Sequence, residues 1–106
     1  MVIYEVNLDV DAAVADELMA WLALHVEEML RFDGFEGATL YTRRPEEESA
    51  ERGRVLLTVH YRVASRGALE RYLLEHAASM RREGLERFPE AFRADRRILY
   101  AAPRAG

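Results

Sequence analysis

The chain of 106 residues has no cysteine, no lysine and no glutamine, and Asn7 is its only asparagine. Those absences exclude thiol nucleophiles, Schiff-base lysines and cysteine-held metals. They also fit a reducing compartment, where structural disulfides are rare. No apolar run approaches the roughly 18 residues that a membrane span needs, and no basic stretch followed by an apolar one opens the chain. A cytoplasmic protein without membrane contact is expected. Positive charge is scarce as well: fifteen basic residues, all arginine, stand against nineteen acidic ones and leave a net charge of −4. That balance argues against non-specific nucleic-acid binding, which depends on neutralising phosphates. The exclusive use of arginine reads first as the mark of a GC-rich genome.

What the chain does have is hydrophobic patterning of alternating period. Val2, Tyr4, Val6, Leu8 and Val10 alternate with Glu5, Asn7 and Asp9, which predicts a half-buried strand. Asp11 is a suitable N-cap for a helix reaching about Phe32, with Asp16 and Glu17 in its first turn. Its apolar stripe is Val14, Leu18, Trp21, Leu22, His25, Met29 and Phe32, and Asp33-Gly34 ends it. Strands follow at Glu36 to Arg43 and Arg54 to Val63, joined by a charged, aperiodic stretch expected to be a long mobile loop. Ser65 caps a second helix with the stripe Leu69, Tyr72, Leu73, His76 and Met80, interrupted at Gly84. Ile98 to Ala102 makes the core of a last strand, and 103–106 a tail.

The order strand, helix, strand, strand, helix, strand within one domain (1–102) predicts an α+β, ferredoxin-like βαββαβ fold. Right-handed crossovers give a four-stranded antiparallel sheet in the order 4-1-3-2, with two helices on one face. Both strand parities carry apolar residues (Ile3, Leu56 and Leu99 against Val6, Leu57 and Ile98). A homodimer packing sheet against sheet is therefore expected to cover the second face.

Near neutral pH the natural acid–base groups are His25, His60 and His76. His25 and His76 sit mid-stripe on their helices and are expected to point at the sheet. Glu28, three residues beyond His25, is placed to orient its ring. On two antiparallel helices the histidines would lie roughly 8 Å apart along axes about 10 Å apart. That separation suits lining a small-molecule pocket rather than sharing a zinc ion, so no metal and no cofactor are expected. Trp21 and Tyr72 stand beside them as pocket walls or core aromatics. The face of His60 is open, because its parity alone does not assign it.

An RNA-recognition domain has the same element order. Tyr4 and Asn7-Leu8 resemble its strand-one motif, but Arg54 and Leu56 stand where strand three would need stacking aromatics.

Taken together, Val2 to Asp11, the Trp21 helix with His25-Val-Glu-Glu-Met-Leu, Leu69 to Ala77 and Gly84 to Phe88 resemble the bacterial family known as domain of unknown function 4286. The resemblance implies a dimeric α/β barrel with no assigned activity. More distantly, that architecture is shared with antibiotic-biosynthesis monooxygenases and haem-degrading enzymes. The haem-degrading group implies an Asn on strand one, a Trp on strand three and a His on helix two. Asn7 matches the first, His60 stands about where the second would be, and His76 or Arg82 is offered for the third. Two functions remain in view: a small-ligand-binding dimer with its pocket between helices and sheet, or a cofactor-independent monooxygenase-like enzyme acting on a small aromatic or haem-like molecule. An enzyme of that kind is expected to show a cavity of roughly 300 Å³ or more with converging polar groups.

Overall fold

Cross-strand pairing of the two alternating segments builds the centre of the molecule. In the computed structural model, which describes residues 1–48 and 51–104, β1 (Val2–Asp11) pairs antiparallel along its length with β3 (Arg54–Val63), from Val2 opposite Val63 to Asp11 opposite Arg54. β2 (Phe35–Arg43) flanks β3 and β4 (Phe92–Tyr100) flanks β1, giving the order β2-β3-β1-β4. Counted from the other edge, this is the expected 4-1-3-2.

The alternation of β1 puts Tyr4, Leu8 and Val10 into the core, opposite Tyr61, Leu57 and Val55. Asp11 accepts from the backbone N–H of Ala13, capping a short turn at Ala12–Val14, and α1 (Ala15–Met29) follows. Leu18, Leu22 and Met29 are its buried stripe. Gly34 takes a positive φ of 85° after the helix. A side chain there would also collide with Ala68, whose Cβ lies 2.5 Å from the position a Cβ would occupy. Ser65 accepts from the Ala68 N–H and starts α2 (Arg66–Glu75).

Three expectations need correction. The second helix is two helices, α2 and α3 (Ala77–Arg87), because His76 takes a non-helical conformation with φ −128° and ψ −25° between them. The break is thus at His76. Gly84, expected as the interruption, lies inside α3, where a Cβ would come within 3.0 Å of the Trp21 ring. That glycine serves close packing. Finally, β4 begins at Phe92, six residues before the expected Ile98, and ends at Tyr100. The linker after β2 contains a short helical turn at Pro45–Glu47. The rest of the expected loop includes residues 49 and 50, and the expected tail includes 105 and 106, all outside the described residues. No described helix is long and apolar enough to cross a membrane.

Candidate functional site

Because opposite residues in antiparallel strands share a face, the register separates the candidate residues into groups. Asn7 lies opposite Thr58 and Asp95, and Glu5 opposite His60 and Arg97. Their parity is opposite to that of Tyr4, Leu8, Leu57 and Tyr61, so they occupy the sheet face away from the helices. Asn7 and His60 therefore cannot line a pocket between helices and sheet.

On that open face Glu5 is the hub, only 4% exposed. One carboxylate oxygen sits 2.8 Å from His60 Nε2; the other accepts from Arg97 Nε at 2.5 Å and Asn7 Nδ2 at 2.9 Å. Thr58 Oγ1 donates to Asn7 Oδ1 at 2.6 Å, and Tyr41 meets the His60 ring edge-on at 5.2 Å. The Arg97 hydrogen bond, helped by those from Asn7 and His60, overrides burial and holds the Glu5 carboxyl down at about 2. This is a satisfied polar network rather than an unspent reactive group.

Between helices and sheet lies a cavity of about 50 Å³. The helix-facing residues of all its elements supply the walls. Trp21 and His25 come from α1, Tyr72 from α2, Arg81 and Gly84 from α3, Tyr4 and Tyr61 from the central strands, and Phe92 and Arg96 from β4. Burial pushes the Tyr61 and Tyr72 phenols above their usual range, so both stay protonated and can donate hydrogen bonds. Arg81 Nη2 donates to the Tyr4 hydroxyl at 3.1 Å. Neither Arg81 nor Arg96 forms an ion pair with a carboxylate among the described residues. The cavity is thus aromatic on its walls and cationic at its polar end.

His25 stacks on Trp21 at a centroid distance of 4.6 Å. Its burial lowers its pKa; Glu28 opposes that shift by attraction, and Arg96 adds to it by repulsion. The nearest carboxylate is that of Glu83 on α3, 3.8 Å from His25 Nδ1, and Nδ1 is buried with no hydrogen-bond partner. His76 does not point at the sheet as expected. At the α2–α3 break it is turned outward, its side chain 46% exposed and stacked on Phe32 at 4.5 Å.

Of the seven residues singled out from the sequence, the cavity therefore gathers Trp21, His25 and Tyr72, with Glu28 near its rim. Asn7 and His60 lie behind the sheet, and His76 lies at a helix break. Asn7, His60 and His76, which stand at or near the Asn, Trp and His positions that the haem-degrading resemblance implies, are not brought together. Sequence reasoning missed Arg81, Glu83 and Arg96. Arg96 shares the parity of Phe92, Ala94 and Ile98, but that signal is readable only once β4 is known to start at Phe92.

Four antiparallel strands with helices on one face define a ferredoxin-like α+β protein, and solved structures share this architecture. The haem-degrader MhuD from Mycobacterium tuberculosis aligns with a TM-score of 0.67 at 19% identity, covering 100% of both chains. SnoaB, a cofactor-independent oxygenase from Streptomyces nogalater, aligns at 0.64 and 14% identity over 97% of this chain and 95% of its own. A de novo designed protein, Foldit4, aligns at 0.61 and 17% over 95% of this chain and 98% of that one. At such identities the likeness is one of fold alone. Within that fold the chain belongs to the domain of unknown function family DUF4286, which it matches over residues 1–102. No curated protein is a significant match in sequence.

Proposed function

We propose that the protein binds a small planar anion, of the aromatic carboxylate type, in the cavity under α1 and α3. The observation that carries this is the pair of guanidiniums, Arg81 and Arg96, which line an aromatic-walled cavity with no carboxylate partner among the described residues. Arg96 is half-buried and Arg81 exposed at the rim; a half-buried cation favours an anion nearby, and an arginine fork matches a carboxylate in two parallel hydrogen bonds. The protonated phenols of Tyr61 and Tyr72 add donors, and Trp21 and Phe92 offer faces for a planar ring. About 50 Å³ holds only a few waters, so binding requires α3 to move away from α1. Gly84 packs α3 closely against Trp21, so the two helices meet at the cavity through this contact.

A cofactor-independent oxygenase in this place would need the roughly 300 Å³ of a substrate pocket, a larger opening of the 50 Å³ cavity than a single small planar acid requires. MhuD carries two haems in its active site, but here neither the cavity volume nor the placement of Asn7, His60 and His76 supports haem chemistry. A binding role is therefore favoured over an enzymatic one. A second copy of the chain is proposed to cover the open sheet face, supported by the half-buried Ile3 and Leu99 on that face and by the exposed Tyr41. Light scattering after size exclusion should give twice the 12.2 kDa chain mass; a monomer at micromolar concentration contradicts it.

Trp21 is the only tryptophan, so its fluorescence reports the cavity directly. Titration with benzoate or salicylate should change it saturably, whereas benzamide should not. Arg96→Met should weaken the response at least tenfold, on the order of one lost charge-assisted pair. Equal responses to acid and amide, or none to either, overturn the proposal.

A further inference from the structure

At the edge of the cavity three metal-binding side chains converge that the anion site does not need as a set. His25 and Glu28 stand three residues apart on α1 and therefore on one helical face. Glu83 reaches them from α3. One ligand atom of each lies within 4.8 Å of the others. The His25 Nδ1 to Glu83 Oε2 distance, 3.8 Å, is too long for a hydrogen bond. Two donors on one tetrahedral cation, at bond lengths of about 2.0–2.2 Å, lie about 3.3–3.6 Å apart, so a small rotation of the exposed carboxylates brings the three atoms to that spacing.

The imidazole supports the same conclusion. Its Nδ1 is buried and has no hydrogen-bond partner, although most buried polar atoms find one. Stacking on Trp21, with 23° between the ring planes, holds the ring in place. Arg96 opposes a cation from the β4 side, while Glu28 and Glu83 supply two negative charges against it. Both carboxylates are exposed, so an ion can enter from solvent.

We propose that His25, Glu28 and Glu83 form a binding site for a divalent first-row transition cation of the zinc class, which pins α3 to α1 at the mouth of the cavity. One imidazole and two carboxylates match the donor preferences of such ions. Three protein ligands leave a fourth position for water or for a ligand atom. The site goes beyond the anion-binding proposal and does not rest on it, since Arg81, Arg96 and the tyrosines take no part.

Calorimetric titration of the chelator-treated full chain with Zn²⁺ tests it, with Co²⁺ absorption as a spectroscopic check. The expected result is one ion per chain and a visible Co²⁺ band. Affinity should fall about tenfold or more in Glu83→Gln. Glu83 is on the surface of α3, so this variant should fold, as circular dichroism can verify. It should also keep the Trp21 response to benzoate, which separates failure of this site from failure of the anion site. His25→Leu should lose the Co²⁺ band entirely. No uptake, or uptake with the same affinity and stoichiometry in Glu83→Gln, overturns the proposal and leaves His25 and Glu83 as a loose ion pair.

Discussion

On the helix side of β3, Leu57, Val59 and Tyr61 are at most 2% exposed and face a cavity bounded by aromatics and two arginines. One residue along, on the other side of the same strand, Thr58 and His60 belong to a hydrogen-bonded network around Glu5. Both faces contain polar groups within otherwise ordinary strands, yet they differ in how those groups are satisfied. Behind the sheet, Glu5 already has His60, Asn7 and Arg97, so its polarity is spent inside the protein. Under the helices, Arg81 and Arg96 have no carboxylate partner, and His25 Nδ1 no hydrogen-bond partner, among the described residues. Unspent polarity marks the side where a ligand has something to gain.

The largest effect should come from removing packing on the helix side. Leu57→Ala deletes a fully buried side chain and should cost about 2–5 kcal/mol in urea unfolding. A cost below about 1 kcal/mol would show that the helices rest on the sheet more loosely than its burial indicates.

The open face should reveal itself through pH. Glu5 has a carboxyl held at about 2 against an ordinary 4.5, chiefly by Arg97. A depressed carboxylate stabilises fully above its unfolded value, and that contribution is lost as pH falls from 4.5 toward 2. The shift corresponds to about 3 kcal/mol. Arg97 is 65% exposed, so solvent screening reduces it to about 1–2 kcal/mol. Glu5→Gln should flatten the acid limb of the stability–pH curve over that window. An unchanged limb would mean that the network does not stabilise the fold.

The smallest change in stability should accompany His25→Leu. It exchanges a buried, unpartnered imidazole for an apolar group and should alter stability by less than about 1 kcal/mol near neutral pH. Because burial lowers the His25 pKa, the unfolded chain takes up its proton first as pH drops below 6.5. The variant should therefore gain on the wild type as pH falls. The same substitution should abolish the Co²⁺ band; a large loss of stability with the Co²⁺ band intact would make His25 a core residue only.

The sheet faces also explain what could be read in advance. β1 and β3 were legible because strict alternation and charged ends leave one register that buries a whole face. β4 was half hidden because Arg96 occupies a core-facing position, where an apolar residue is expected. The break at His76 was invisible since the apolar stripe runs through it unbroken, and Gly84 drew attention as a breaker when its role is to admit the Trp21 ring. Trp21, His25 and Tyr72 were legible as helix-stripe residues. Asn7 and His60 required the register, which parity within one strand cannot supply. Glu83 and Arg81 needed the packing of α3 against α1. The features that concealed the fold, a charge in a core position and a glycine inside a helix, are those that shape the cavity.

The most direct test is residue-resolved amide chemical-shift mapping during titration with benzoate. Perturbations should concentrate at Trp21, Tyr61, Tyr72, Arg81, Gly84 and Arg96, with Asn7, Thr58 and His60 changing little. A map centred on Asn7, Thr58 and His60, or spread evenly over the arginines of the surface, would contradict a ligand site under the helices.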